Sequence, residues 1–146
     1  AIIEYLDEIH SQAPLLPRTT PADRAWVRQL ALAIACDIHP LNNLRVLKYL
    51  VGPLAQTEAR KNEWARHWIT LGFAALETQL AASPKRGRFC FGDTPTMADC
   101  CLVPQIANAL RVDTDMTPYP TLTRIERHCA GLDAFQRAHP SAQPGA

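Results

Sequence analysis

Two polar residues suited to ligand binding lie in an apolar part of the chain. His39 and Asn43 are four residues apart, so on a helix their side chains share one face. Leucine and valine surround them, so an imidazole and an amide in this place need hydrogen-bond partners. Two interpretations stay open: the pair binds a polar ligand, or it satisfies backbone carbonyls that Pro40 leaves unpaired. The spacing alone favours the second.

Arg111 is a second candidate binding group, at the end of an apolar helix that begins near Thr96. A guanidinium binds a carboxylate through two parallel hydrogen bonds. A cation at a helix C-terminus also stabilises the helix by about 0.3–1 kcal/mol, which gives Arg111 an alternative, structural role. Asn108 precedes it by three residues, so the two side chains share a face and Asn108 would support Arg111.

Thr96 and Asp99 predict how that helix begins. They are three residues apart and directly precede the apolar run at 100–103, which is the spacing of an N-terminal capping box. Because the helix starts inside a hydrophobic stretch, we expect a buried cap. We therefore assign both residues to folding, and expect replacement of Asp99 by alanine to lower stability by about 1–2 kcal/mol.

The elements that position these residues are predicted to be helices throughout. Apolar residues recur with helical periodicity, and no alternating strand pattern is present, so we expect an all-α helical bundle. Pro40 should kink the second helix, because a proline inside a helix removes one backbone hydrogen bond. The predicted helices cover residues 1–10, 20–51, 57–82, 97–111, 122–129 and 132–135.

Composition excludes several classes of function. The 146 residues suit one domain, and 15 basic and 14 acidic residues are intermixed, which argues against nucleic acid as a partner. No apolar run is long enough to cross a bilayer, so no membrane association is expected. Five cysteines without close paired spacing indicate reduced thiols and a cytoplasmic protein. Cys36 and His39 lack a second ligand pair, so no metal site is predicted.

The residues around the capping box resemble a known family. The pattern of Gly92, Asp93, Thr96, Ala98, Asp99, Leu102, Val103 and Pro104 is similar to the capping motif of the glutathione S-transferase C-terminal domain. Three longer stretches resemble the zeta class of that superfamily: CDIHPLNNL at 36–44, LVPQIANA at 102–109 and DMTPYPT at 115–121. The resemblance covers nearly the whole chain.

The resemblance also implies a domain organisation. Residues 1–12 correspond to the last helix of a thioredoxin-like N-terminal domain, the rest of which is absent from this sequence. Residues 13–146 correspond to the α-helical C-terminal domain. A proline-rich linker with Pro14, Pro17 and Pro21 separates the two parts.

The activity implied by the resemblance is a glutathione-dependent cis–trans isomerisation. We expect conversion of maleylacetoacetate to fumarylacetoacetate, in aromatic amino-acid catabolism, with glutathione as cofactor and a small dicarboxylate as substrate. The family also implies a cytoplasmic homodimer. Isomerisation of maleylpyruvate and general glutathione transfer are alternatives within the superfamily. A non-catalytic helical interaction module is the alternative from another class.

The resemblance assigns site residues by position. Glutathione contacts in the class fall at positions matching His39, Asn43, Leu44 and Arg45, and an arginine that faces the substrate matches Arg111. Some members carry glutamine in place of His39 and a small polar residue in place of Arg45. No catalytic residue is expected within these 146 residues, because the Ser-Ser-Cys type signature that stabilises the thiolate in this family is absent. We therefore expect a chain that lines the substrate cleft.

Overall fold

The computed structural model describes residues 1–10 and 12–145 of the chain. Within these ranges no strand forms, and the prediction of an all-α fold is confirmed. None of the helices found there is long and apolar enough to cross a membrane. The α-helices are α1 (Ile2–Ile9), α2 (Pro21–Leu32), α3 (Leu44–Val51), α4 (Glu58–Ala82), α5 (Met97–Arg111), α6 (Pro120–Ala130) and α7 (Asp133–Ala138).

The core lies where α2, α4, α5 and α6 pack together. One helix face from each contributes apolar side chains that water does not reach, which is the main stabilising term for such a bundle. Phe73 of α4 meets Tyr119 edge to face, with ring centroids 5.6 Å apart. The largest fully buried apolar residues are Leu30, Ile38, Ile69, Phe73, Leu76, Leu80, Leu102, Leu122 and Ile125.

The capping box at the start of α5 is present and buried, as predicted. Asp99 has no exposed surface, and its Oδ2 accepts hydrogen bonds from the Thr96 backbone N–H and hydroxyl, each at 2.8 Å. Its Oδ1 accepts from the Cys90 backbone N–H at 2.9 Å. The first donor of α5, the Met97 N–H, reaches the Leu15 carbonyl at 2.9 Å. The cap therefore anchors two loops as well as one helix.

The prediction of one kinked helix over residues 20–51 is wrong. α2 ends at Leu32, a π-helix covers Ala33–Ile38, and a 3₁₀-helix covers His39–Asn42. Pro40 has no N–H to donate and restricts the residue before it, so the α-helical ladder cannot continue through this point. Instead the His39 N–H bonds the Ile34 carbonyl, five residues back. The chain thus makes a broad turn followed by a tight one.

Gly72 of α4 permits this turn to pack closely. A Cβ atom at Gly72 would lie 2.3 Å from Ile38 Cδ1, closer than real carbon contacts allow. The π-helix therefore rests directly on the backbone of α4, with Ile38 buried between them. This contact fixes the position of His39, the next residue.

The apolar face of α1 is not covered by the residues described. Ile2, Tyr5, Leu6 and Ile9 expose 77%, 62%, 44% and 53% of their surface. α1 is held by Ile3, which packs against the core, and by polar contacts that include the ion pair between Glu4 and Arg28 of α2. Such a contiguous exposed apolar surface marks an interaction site.

Candidate functional site

A cavity of about 250 Å³ lies between the π-helix and α5, and we call it the α5 cleft. His39 reaches it from the turn after the π-helix, and Asn108 reaches it from α5. Two elements distant in sequence therefore bring hydrogen-bonding side chains to one cavity. The lining residues are Ile34, Ala35, His39, Cys100, Cys101, Pro104, Gln105 and Asn108.

Arg111 is joined to this cleft through Asn108. Its Nη2 donates to Asn108 Oδ1 at 2.9 Å, and the guanidinium is exposed. Since arginine carries five N–H donors, most of them stay free for a ligand. The structure thus links Arg111 to a residue of the cleft that His39 also lines, and the shared face predicted for Asn108 and Arg111 is confirmed.

A change of backbone conformation ends α5 directly after Arg111. Asp113 adopts a left-handed conformation with φ 55°, which aspartate tolerates better than most residues. The Thr114 N–H then turns back to the Ala109 carbonyl at 3.0 Å. The guanidinium of Arg111 is therefore presented from the last turn of a helix, where a cation is also favoured by the helix dipole.

The residues predicted to bind glutathione do not share one helix face. The 3₁₀ turn ends at Asn42, and Asn43 is extended with φ −64° and ψ 146°, so the four-residue spacing from His39 no longer places both on one side. Asn43 Oδ1 accepts from the Arg45 backbone N–H at 3.1 Å and caps α3. Leu44 and Arg45 follow in the first turn of α3, both exposed.

Asn42 bonds a backbone carbonyl near Pro40, which is the structural role that the sequence suggested for His39 and Asn43. Its Nδ2 donates to the Ile38 carbonyl at 3.3 Å, which partly satisfies the backbone near Pro40. The imidazole of His39 is exposed and lines the α5 cleft. His39 is therefore available to a ligand, and the glutathione-binding role of Asn43, Leu44 and Arg45 stays a prediction.

Gln105 is a residue of this site to which the sequence assigned no binding role. It is 2% exposed, and its Nε2 has no hydrogen-bond partner among the described residues. A detectable signal exists in the sequence, because Leu102, Ile106 and Ala109 mark the buried face of α5 and Gln105 is a polar residue within it. A buried polar group without a hydrogen-bond partner is rare in proteins and calls for an explanation.

Cys100 and Cys101 also line the cleft, and neither is fully buried. Burial raises the pKa of the Cys100 thiol to about 11, and the nearby Asp99 carboxylate adds to the rise. Burial likewise raises the pKa of Cys101. Since the thiolate is the reactive form, both cysteines are poor nucleophiles at neutral pH.

A larger cavity, of about 950 Å³, lies between α3 and α4. Its wall includes Trp64, Trp68, Arg60 and His67, and it contains none of the predicted site residues. The indole N–H of Trp68 has no hydrogen-bond partner among residues 1–10 and 12–145, whereas that of Trp64 donates to the Leu41 carbonyl at 2.8 Å. This groove is larger than the α5 cleft, but the predicted site residue His39 lines the α5 cleft and not this groove.

The comparisons with known proteins agree on one family. Residues 70–127 match the family model of the glutathione S-transferase C-terminal domain. A curated maleylpyruvate isomerase from Ralstonia is 51% identical over 144 residues, which cover 99% of this chain and 68% of that protein.

Two solved structures extend this similarity to the fold. The holo structure of a maleylpyruvate isomerase, described as a bacterial glutathione S-transferase of the zeta class, superposes with a TM-score of 0.96 at 50% identity. It is matched over 99% of this chain and 68% of its own length. A maleylacetoacetate isomerase from Anaeromyxobacter dehalogenans, with dicarboxyethyl glutathione and citrate in its active site, gives 0.91 at 45% identity, over 99% of this chain and 63% of that one. The chain thus spans about two thirds of the length of these proteins.

Proposed function

The chain belongs to the zeta class of the glutathione S-transferases, and on this premise we propose that it is the helical part of a glutathione-dependent isomerase acting on maleylacetoacetate. The product is fumarylacetoacetate. One observation carries the proposal: His39 and Asn108 line a single cleft, and Asn108 holds the guanidinium of Arg111 through a hydrogen bond. That convergence is what a small anionic substrate and a peptide cofactor require.

The groups that face the cleft suit glutathione and a dicarboxylate. His39, Asn108 and Gln105 offer an imidazole and two amides, and the Gln105 Nε2 has no partner within the described part of the chain. Carboxylates and amide carbonyls accept hydrogen bonds from such groups, and those to a carboxylate are shorter and stronger than neutral ones. The donor set therefore fits ligands that are rich in acceptors.

Glutathione supplies a thiolate that adds to the conjugated double bond, which becomes a single bond, rotates, and re-forms when the thiolate leaves. Arg111 binds a substrate carboxylate, and Asn108 fixes the orientation of the guanidinium. His39, Asn43, Leu44 and Arg45 hold the peptide from the turn that follows the π-helix. Fixed donors around the cleft also stabilise the negative charge that develops during the addition.

We also propose that residues 1–12 belong to a thioredoxin-like domain and that residues 13–146 form the helical domain. The exposed apolar face of α1 supports this division, because Ile2, Tyr5 and Ile9 require a partner surface. The residues that stabilise the thiolate then lie in the thioredoxin-like domain. Cys100 and Cys101 do not replace them, because burial raises the pKa of both thiols.

A cytoplasmic homodimer is the assembly that we propose. All five cysteines are free, which suits a reducing compartment. Tyr49, Leu54 and Leu71 expose 56%, 48% and 58% of their surface, which favours a partner surface nearby. Sedimentation of the complete gene product at a dimer mass would support this assembly, and a monomer at micromolar concentration would contradict it.

Maleylpyruvate is the second candidate substrate, since the Ralstonia relative at 51% identity is named for it. The two substrates share the reacting cis double bond, so the same cleft can serve both. A non-catalytic interaction module is less well supported, because such a module has no need for a cavity lined by His39 and Asn108 with Arg111 bonded to it.

The test is an isomerisation assay with the complete gene product, on both maleyl substrates, with and without glutathione. We expect conversion of maleylacetoacetate that depends on glutathione. An equal rate without glutathione would refute the proposed mechanism. Faster glutathione-dependent conversion of maleylpyruvate would instead select the second substrate.

A further inference from the structure

We infer that Gln105 is a substrate-binding residue, whose side-chain Nε2 donates a hydrogen bond to a carboxylate of the dicarboxylate in the α5 cleft. This inference rests on the proposed function and adds to it a second anchoring point. It concerns a residue that neither the capping motif nor the resemblance of the chain assigned.

The Nε2 of Gln105 lacks a hydrogen bond within the described part of the chain. Gln105 is 2% exposed, and a buried amide nitrogen without a partner is destabilising, so proteins rarely keep one without a function. Asn108, which also lines the cleft, directs its Oδ1 to the Arg111 guanidinium and makes no hydrogen bond with Gln105. The thiols of Cys100 and Cys101 are weak acceptors.

Gln105 begins a series of polar residues on α5. Gln105, Asn108 and Arg111 follow one another at three-residue intervals, so each side chain neighbours the next in a row that turns gradually around the helix. Exposure increases along the row, from buried Gln105 through half-buried Asn108 to exposed Arg111. The row therefore offers donors at two depths, which suits a ligand with an acidic group at each end.

The place of Gln105 on α5 favours the substrate over glutathione as its ligand. The residues assigned to glutathione, His39 and Asn43 to Arg45, come from the turn and from α3, whereas Gln105 and Arg111 come from α5. Water can occupy a cavity of about 250 Å³ in the free protein, since one water takes about 30 Å³. A carboxylate that displaces this water gains a charge-assisted hydrogen bond from Gln105.

The test replaces Gln105 by methionine, which keeps the length of the side chain and removes the donor. We expect the KM for maleylacetoacetate to rise about 10-fold or more, as for a lost hydrogen bond to a charged group. The KM for glutathione should stay within about 2-fold, and the melting temperature should not fall, because an unsatisfied polar group has been removed from the interior. Gln79→Met is the matched control, since the Gln79 side chain lies on α4, where it accepts a hydrogen bond from Gln29, and the change should alter neither constant.

Two results would overturn the inference. One is that the wild type is active and that Gln105→Met has the same KM values for maleylacetoacetate and for glutathione as the wild type. The other is that Gln105→Met raises the KM for maleylacetoacetate and the KM for glutathione by the same factor. If the wild type shows no glutathione-dependent activity, the proposed function fails on its own account. Calorimetric titration with malonate then still decides the role of Gln105, since weaker binding by Gln105→Met supports it and equal binding contradicts it.

A measurement on the wild type covers the case in which the variant does not fold. Gln105 is the one fully buried glutamine in the described part of the chain, so its side-chain amide should exchange slowly and be resolved in nitrogen-15 spectra. We expect its amide signals to shift when malonate is added. Unchanged signals at saturating malonate would contradict the inference.

Discussion

Arg111 is oriented by one neighbour and otherwise faces solvent. Asn108 accepts from a single guanidinium nitrogen at 2.9 Å, which restricts rotation of the side chain while leaving its other donors free. A restricted guanidinium binds a planar carboxylate with less loss of side-chain entropy than a mobile one. The role of Arg111 as substrate anchor is therefore favoured over a purely structural one.

Replacement of Arg111 by alanine should weaken the binding of the dicarboxylate selectively. We expect the KM for maleylacetoacetate to rise about 10-fold to 100-fold, and the KM for glutathione to change less than about 3-fold. Steady-state kinetics with each substrate varied in turn measures both constants. Arg137→Ala is the control, since Arg137 pairs with exposed Asp133 on α7. Equal losses for both ligands would show that Arg111 is structural.

At the scale of the element, the start of α5 depends on one carboxylate. Asp99 accepts three hydrogen bonds, two from Thr96 and one from Cys90, with no exposed surface. The last turn of the same helix is held from α4, where Arg66 Nη1 donates to the Val112 carbonyl at 2.9 Å. Both ends of the helix that carries Gln105 and Arg111 are therefore fixed by side chains.

Replacement of Asp99 by alanine should destabilise the protein by about 2–4 kcal/mol, because two backbone N–H groups lose their acceptor in the interior. This exceeds the value expected for a simple cap, because the bond to Cys90 is lost as well. Urea denaturation measures the change. Asp133→Ala removes an acid from the first turn of α7 at an exposed site and should stay within about 0.5 kcal/mol of wild type. A similar small loss in both variants would refute the buried-cap interpretation.

Local signals predicted some elements and long-range contacts decided others. Thr96 and Asp99 were informative because a capping box is formed by residues three apart, and only its burial had to be inferred. The turn at Pro40 depends on distant atoms: Ile38 packs on the bare backbone of Gly72, a contact that no sequence spacing reveals. For this reason the sequence predicted a kink where the chain forms a π-helix and a 3₁₀ turn.

The same limit applies to the candidate site. His39 and Arg111 were identified by residue type and by family resemblance, but the cleft that His39 and Asn108 line, and the link from Asn108 to Arg111, required the fold. The donor of Gln105 could not be recognised as unpartnered without its neighbours. The shared face of His39 and Asn43 failed as a prediction because it assumed a continuous helix.

At the scale of the whole molecule, ion pairs join segments that are far apart in sequence. Lys85 Nζ bonds Asp23 Oδ1 at 2.6 Å and links the loop after α4 to the first turn of α2. The hydrogen bond from Lys85, followed by those from the Thr19 and Thr20 hydroxyls, holds the pKa of Asp23 well below its usual range. A carboxylate whose pKa is lowered in the folded state stabilises that state above its unfolded pKa, and the contribution declines as the pH falls below that value.

Replacement of Asp23 by asparagine should therefore lower the melting temperature at neutral pH by more than at acid pH. The difference from wild type should be constant above the ordinary pKa of 3.8 and should narrow as the pH falls below it. Thermal denaturation at a series of pH values measures this. Asp133→Asn is the control, because Asp133 is exposed and should give a small difference at every pH. A difference for Asp23→Asn that does not narrow in acid would contradict the account.

The central claim is that the α5 cleft, between the π-helix and α5, is where the substrate binds. The most direct measurement is a crystal structure of the complete gene product with glutathione and malonate. We expect a malonate carboxylate about 3 Å from the Arg111 guanidinium, with glutathione against His39. Malonate in the larger groove beside Trp64 and Trp68, with the α5 cleft filled only by water, would contradict the claim.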